Sequence, residues 1–293
     1  MNKINFPMRS LMFVPGNNIK FIKKSFNSDA DVLLLDLEDS VESIKNKAIA
    51  RNLILRLIKL NTTKKIFIRI NDIESGEILK DLEKLTINGI DGFMFPKSLS
   101  GLDIYFFDKL ITSFEYKKGL EVGKFKIIPL IETTSAVMNV DDICKSSKRV
   151  IAIAFGNEDY LTDLGALSDP NGDNLFFPRV MITNAAKANN IVPIDTVHVN
   201  VHDLKDLEQK LQLSKKLGFE GMLVLHPKEL PLVNKYFSPS ISEIKNAKNI
   251  IKISKSKLIK SKSVDIIDGK FVGPPMIKAA KKILERDKLI RGL

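Results

Sequence analysis

Five short apolar segments of this chain each run into polar or charged groups. Met12–Gly16 leads into Asn17, and Val32–Leu35 into Asp36, Glu38 and Asp39. Ile66–Ile70 carries Arg69 and leads into Asn71, Ile127–Ile131 leads into Glu132, and Val150–Phe155 leads into Gly156, Asn157, Glu158 and Asp159. Carboxylates distant in sequence but delivered to one place suit a hard divalent cation such as magnesium, which takes oxygen ligands and keeps several waters. Glu132 and Asp159 are the candidate metal pair, the alternative being that both are first-turn helix acids stabilised by the dipole. Arg69 is a lone guanidinium in an apolar run and must face an anion, because a buried charge is costly unless paired. That anion is either Asp36 or Glu38, or a substrate carboxylate held by the guanidinium fork. Asp36, Glu38 and Asp39 can bind metal, orient an arginine or cap the following helix. Lys97 follows Phe93-Met94-Phe95-Pro96 and could form a Schiff base or be a structural lysine. Arg9 precedes the first apolar segment, as an anion clamp or a solvated residue. His198, His202 and His226 are scattered and lack zinc-site spacing.

The elements that must deliver these groups alternate in type. Near-continuous apolar strands are expected near 11–15, 31–36, 65–70, 92–96, 126–131, 150–155, 193–197 and 221–225. Helical patterns lie between them near 17–27, 43–60, 77–87, 102–119, 135–146, 176–190, 203–217 and 229–236. Eight βα units are the arithmetic of an α/β fold closed into a (β/α)8 TIM barrel, whose strand C-termini build the active site at one rim. A doubly wound open sheet is the alternative, but no G-x-G-x-x-G follows the first strand. Gly165–Asn174 reads as a loop at that rim. Beyond the eighth unit come a lysine-studded helix over 240–262, a strand-like Val264–Ile267, a turn at Asp268-Gly269, and a helix over 276–289 after Gly273-Pro274-Pro275. The expected organisation is a barrel over 1–238 and a C-terminal helical extension over 239–293, acting as a lid or subunit contact.

The chain has 293 residues, of which 44% are hydrophobic, which fits one large domain or a barrel with an extension. No apolar run approaches the roughly 20 residues that span a bilayer, and Met1–Arg9 lacks the apolar core of a signal peptide. Cys144 is the single cysteine, so an internal disulfide is excluded and a reducing cytoplasm is expected. The net charge of +11 comes from 38 lysines against 8 arginines spread along the whole chain. A nucleic-acid surface concentrates charge and favours arginine, so a compositional bias is the better reading, and no nucleic-acid or membrane partner is expected. A basic exterior would still draw in an anionic substrate such as a coenzyme phosphate.

Taken together, several segments resemble the citrate lyase β-subunit and malyl-CoA lyase family. They are Arg9-Ser10-Leu11-Met12-Phe13-Val14-Pro15-Gly16, Asp36-Leu37-Glu38-Asp39-Ser40-Val41, Arg69-Ile70-Asn71, Phe95-Pro96-Lys97, Ile131-Glu132-Thr133, Phe155-Gly156-Asn157-Glu158-Asp159, His226-Pro227-Lys228 and Asp268-Gly269-Lys270. The likeness runs in order from about residue 9 to residue 283. It implies a TIM-barrel carbon–carbon lyase of the aldolase/citrate lyase superfamily that cleaves a citryl, malyl or citramalyl type of acyl thioester. By the same resemblance Glu132 and Asp159 match magnesium ligands, and Arg69 matches the arginine that grips the 2-oxoacid part of the substrate, close to Glu132. Arg9 matches an arginine at the mouth of the site, while Lys24 and His226 fall where some members contact coenzyme A. Asp36 and Glu38 are candidates for the base. The implied partners are an acyl thioester of coenzyme A or of an acyl-carrier protein, further copies in a homotrimer or hexamer, and, for a subunit of a larger lyase, the other citrate lyase subunits. One departure stands out: Gly273 occupies the place where many members carry an acid/base aspartate. The alternatives are a Schiff-base aldolase using Lys97 and a non-catalytic subunit of a lyase complex.

Overall fold

A computed structural model describes residues 5–60, 63–167, 169, 172–255, 265–267 and 270–292. Eight strands form the centre of the first compact unit, which includes Met8–Asn234. They are β1 (Ser10–Pro15), β2 (Val32–Asp36), β3 (Lys65–Arg69), β4 (Gly92–Phe95), β5 (Lys126–Ile131), β6 (Ala152–Phe155), β7 (Val192–Asp195) and β8 (Gly221–Val224). Each pairs in parallel with the next, and β8 closes on β1, giving an eight-stranded barrel. The expected (β/α)8 fold is therefore present, with every strand within about two residues of its expected place.

The return segments are helices α1 (Ile19–Ser25), α2 (Ile44–Leu57), α3 (Ile78–Leu85), α4 (Gly101–Lys117), α5 (Thr134–Met138), α6 (Val140–Lys145), α7 (Asn157–Leu164), α8 (Phe176–Ala188), α9 (Leu204–Leu217) and α10 (Leu230–Tyr236). Their starts follow from side-chain caps. Asn18, Ser43, Thr133 and Asp203 each accept backbone N–H groups of a first turn. Two differences from the expected pattern have local causes. The helix expected over 135–146 breaks at Asn139, whose Nδ2 bonds the Leu99 carbonyl and Ser135 Oγ instead of continuing one regular helix. The short α7 was not expected; it carries Glu158 and Asp159 in its first turn and stops at Gly165, which is left-handed with φ 69°. Residues 168, 170 and 171 of the expected 165–174 loop lie outside the described residues.

The strands are buried on both faces because the barrel interior takes one side and the helices the other; all five residues of β2 are buried. Outside β4, Phe95 stacks on Phe107 of α4 at 4.5 Å, and Phe93 lies 5.5 Å from Phe125. Arginine, scarce in the sequence, goes to buried ion pairs here. Arg51 binds Glu77 and Asp81, Arg149 binds Glu115 and Asp108, and Arg179 binds Asp195. The planar fork satisfies a carboxylate with two bonds, which a buried charge needs.

The second unit includes Lys235–Leu293. Its helices α11 (Ile241–Lys255) and α12 (Pro274–Arg291) pack on each other, with Ile244, Ala247 and Ala280 buried. Strands β9 (Asp265–Ile267) and β10 (Lys270–Val272) pair antiparallel. Gly273 is the extended N-cap of α12, ahead of Pro274 and Pro275. The expected turn at Asp268-Gly269 lies outside the described residues.

Gly92, the first residue of β4, shows how tightly the barrel closes. A Cβ there would sit 2.2 Å from the Lys126 carbonyl oxygen and 2.6 Å from Phe67 Cε1. Gly92→Ala is expected to lose about 1–3 kcal/mol in urea unfolding; an unchanged midpoint would mean that the barrel gives way there.

Candidate active site

In a closed parallel barrel all strand C-termini share one rim, so the chemistry of that rim is set by the residues ending each strand. The register sets Asp36 of β2 directly beside Arg69 of β3, and Pro15 of β1 beside Asp36. Arg69 Nε and Nη2 each donate to an Asp36 oxygen at 2.7 Å, a bidentate pair. Its Nη1 meets Asp39 Oδ2 at 2.9 Å and Glu38 Oε2 at 3.2 Å. The guanidinium also lies over the Phe13 ring, 4.7 Å from its centroid. Asp36 further accepts the backbone N–H groups of Glu38 and Ser40. Burial pushes the Asp36 carboxyl up, but the charge and hydrogen bonds of Arg69 outweigh it and leave the group below its ordinary range.

Glu132 follows β5 and is 2% exposed. One oxygen accepts the Lys97 backbone N–H at 2.5 Å. Lys97 presents that N–H from a left-handed conformation, φ 48°, unusual for a non-glycine residue. Gly156 makes room for the carboxylate: a Cβ at 156 would lie 2.9 Å from Glu132 Oε2. Burial pushes Glu132 up to about 7, against the Lys97 hydrogen bond, and the charge of Asp159 adds to the rise. Burial likewise pushes Glu38 up to about 8, opposed by Arg69 and reinforced by Glu132 and Asp39.

Glu132, Asp159, Asp36, Asp39 and Arg69 line one cleft of about 410 Å3, together with Phe13, Phe155, Asn157, Glu158 and Thr196. A larger groove of about 590 Å3 runs over α2, α3 and α4 and touches none of the strand-end groups. Among the described residues no three His, Cys, Asp or Glu side chains converge in metal-binding geometry.

The other expected site residues fall elsewhere. Arg9 precedes β1, so it sits at the strand N-terminal end, a strand length of roughly 20 Å from the rim. There its Nε and Nη2 bind Asp31 at 2.8 and 2.6 Å. This corrects the expectation that it stands at the mouth of the site. Lys24 is exposed in the last turn of α1, a helix that runs away from the rim, and is not among the residues lining the cleft. His226 does follow β8 on the rim, where its Nδ1 accepts the Lys228 N–H at 3.2 Å. Lys97 Nζ is turned to Asp72 at 2.6 Å, and that hydrogen bond holds its pKa above the ordinary lysine range.

Three groups behind the rim carried no readable signal in the sequence. Lys47 of α2 donates to the carbonyls of Leu37 and Glu38 and to Asn71 Oδ1, fixing the acidic loop from behind. Thr196 hydrogen-bonds Asn157 at the cleft wall. His198, 1% exposed, sets Nδ1 at 3.0 Å from Glu229 Oε1 and Nε2 at 2.9 Å from Asp206 Oδ2. Glu229 also accepts the His226 N–H, so His198 clasps the loops after β7 and β8. Burial pushes its imidazole down, but hydrogen bonds to the two carboxylates prevail and raise its pKa.

A raised folded-state pKa means that this clasp stabilises fully below the unfolded value of about 6.5 and fades as pH rises through the folded value. Stability of the wild type should therefore fall more steeply from pH 6 to pH 8 than that of His198→Gln, read by urea midpoints. Parallel slopes would show that folding does not raise the pKa of His198.

The family model for HpcH/HpaI aldolase/citrate lyase matches residues 9–227. Over 282 residues the chain is 34% identical to citrate lyase subunit beta of Haemophilus influenzae, covering 96% of this chain and 97% of that protein. It is 30% identical over 288 residues to the human mitochondrial citramalyl-CoA lyase, covering 94% and 84%. Among solved structures, the protein CitE of Mycobacterium tuberculosis in complex with magnesium and pyruvate aligns at a TM-score of 0.66 and 25% identity, over 80% of this chain and 93% of that one. Matches of this length and identity, on a barrel with these rim residues, place the chain in the HpcH/HpaI aldolase/citrate lyase family.

Proposed function

We propose that the protein is a carbon–carbon lyase that cleaves a 3-hydroxy-3-carboxylate acyl thioester, of the citryl, malyl or citramalyl type, into an acyl thioester and a 2-oxoacid. One observation carries this reading: Glu132 and Asp159 line the same cleft as an arginine already oriented by a buried aspartate. The relatives support it by name, one as a citrate lyase subunit and one as a citramalyl-CoA lyase.

Glu132 and Asp159 would hold a magnesium ion. The donor set fits: both are hard oxygen ligands, two carboxylates plus water and substrate suit magnesium, and their mutual repulsion calls for a cation. When bound, such an ion supplies Lewis acidity toward the substrate's hydroxyl and carboxylate oxygens. The rest falls to the chain itself. Arg69, closed on one edge by Asp36, offers Nη1 to the substrate carboxylate and fixes its orientation. Asp36 is held by four hydrogen bonds and serves as a positioning group. Glu38, whose carboxylate lies beside Nη1, takes the hydroxyl proton. As the hydroxyl carbon becomes the 2-oxoacid carbonyl, the bond to the thioester's α-carbon breaks and its electron pair stays on the thioester as an enolate. Glu38 then returns the proton to that carbon. Backbone N–H groups at the strand ends remain to stabilise the enolate, Arg9 being at the other end of the barrel. This assignment needs no aspartate at position 273. Lys97 is a poor Schiff-base nucleophile, since its amine is ion-paired and held protonated.

Oxaloacetate, glyoxylate or pyruvate release from the three coenzyme A thioesters, with and without EDTA, tests the activity. Glu132→Gln and Asp159→Asn are each expected to cut it by about 100-fold or more. An independent readout is thermal melting. A metal at a hundredfold excess over its Kd stabilises by about 2.7 kcal/mol, a rise of roughly 5 °C, which both variants should lose. Full activity in EDTA, or a metal-induced shift retained in both variants, would sink the assignment.

A further inference from the structure

The two edges of Arg69 are held very differently. The Nε and Nη2 edge is closed by Asp36, which is 1% exposed and locked by two backbone N–H groups as well. The Nη1 edge faces the cleft and is met by Asp39 at 2.9 Å and, less closely, by the largely buried Glu38 at 3.2 Å. Asp39 is unlike its neighbours. Its side chain is 69% exposed, yet it turns inward to line the cleft. It makes no other hydrogen bond or ion pair among the described residues. Nor does it cap α2, a task that falls to Ser43. The backbone just before it is pinned, because Lys47 Nζ holds the Leu37 and Glu38 carbonyls. Rotation of the Asp39 side chain alone frees the Nη1 position it occupies while Glu38 stays at 3.2 Å, and among the described residues Arg69 is the only cationic one lining the cleft.

We propose that Asp39 is an internal stand-in for the substrate carboxylate: it covers Arg69 Nη1 in the free protein and must be displaced by the incoming carboxylate. The inference rests on the reading of Arg69 given above. An exposed ion pair is weak, so displacement is feasible, but a tethered carboxylate competes at an effective concentration on the order of millimolar. Simple monocarboxylates are held off by this competition. A 2-oxoacid, which brings further oxygen contacts, overcomes it. Asp39 thus sets the affinity threshold that any carboxylate must exceed at Arg69, without taking part in bond making or breaking.

Calorimetric titration of pyruvate, acetate and pyruvamide, with magnesium chloride present throughout, tests this. Asp39→Asn and Asp39→Ala should tighten pyruvate and acetate binding by about two- to five-fold, the worth of one exposed pair. Pyruvamide, which has no carboxylate, should bind all proteins alike. Glu158→Gln removes an equal charge from the same cleft and controls for the general field. Its effect should be smaller than that of Asp39→Asn at the same ionic strength, because Asp39 touches Nη1 directly. Equal gains in Asp39→Asn and Glu158→Gln, or none in either Asp39 variant, would overturn the inference. Arg69→Lys, checked for folding by thermal melting, separates the two readings. If it loses pyruvate binding while the Asp39 variants bind as wild type, the stand-in fails and the role of Arg69 survives. If it binds pyruvate as wild type does, both fail.

Discussion

A guanidinium taken out of water at the end of β3 has to be neutralised where it stands, and the parallel register supplies the counter-charge at the same height on β2. Two bonds of 2.7 Å join Arg69 to Asp36, both nearly buried. Such a pair adds little net stability against an apolar substitute, but breaking it strands a buried charge at a cost of about 3–5 kcal/mol. Its value lies in geometry. With Nε and Nη2 committed, Nη1 can point only toward the cleft. With Asp36 committed to Glu38 and Ser40 backbone N–H groups as well, the following loop is folded around the same carboxylate. One ion pair thus orients both the arginine and the acidic loop that faces it.

That arrangement is braced from the helix layer. Lys47 of α2 reaches the Leu37 and Glu38 carbonyls and Asn71, and Asn71 in turn donates twice to Asp81. Asp81 and Glu77 share Arg51 of α2. The loops after β2 and β3 are therefore tied to one another through the half-buried Lys47 and the buried Asn71, Asp81 and Arg51. Across the rim, Glu132 is placed by the Lys97 N–H and by the missing side chain at Gly156. The site is rigid on its protein side, as pre-organised electrostatic chemistry requires. Asp39, with a single contact, is lightly held by comparison.

The eight strands were legible because each is a short β-branched or leucine-rich run between amphipathic stretches, and a strand buried on both faces leaves that mark whatever its partners are. Val32-Leu33-Leu34-Leu35 could hardly be anything else. The strand-end groups were legible for a related reason: Arg69 and Glu132 interrupt or terminate apolar runs where a charge needs a purpose. The partner of Arg69 was left open between an internal acid and a substrate, and the structure gives it internal acids, Asp36 on the Nε and Nη2 edge and Asp39 with Glu38 at Nη1. What stayed illegible depends on depth along the barrel axis. Arg9 sits beside a strand just as Arg69 does, but at the opposite end, and a linear motif does not tell a strand's entry from its exit unless the strand direction is applied. Lys47 and His198 were invisible because their significance comes from partners 24 and 31 residues away. In a chain with so many lysines, one more on a helix carries no signal.

Charge is distributed in a way that composition alone conceals. The protein carries +11 overall, yet among the described residues the cleft is lined by Asp36, Asp39, Glu132, Glu158 and Asp159 around one cation, Arg69. The rise of Glu132 and Glu38 toward neutrality records the strain of that crowding, burial first and neighbouring acids after it. A carboxylate substrate approaching such a cleft is favoured at long range by the basic exterior and repelled at short range by the rim. The two tendencies are reconciled only if positive charge enters the cleft before or with the substrate. On the proposed reading, a divalent ion on Glu132 and Asp159 converts a repulsive wall into an attractive one, and Arg69 then needs to supply orientation rather than bulk attraction. A site acidic when empty and anion-binding when loaded excludes stray carboxylates in the absence of the metal, which is the condition under which they could only inhibit.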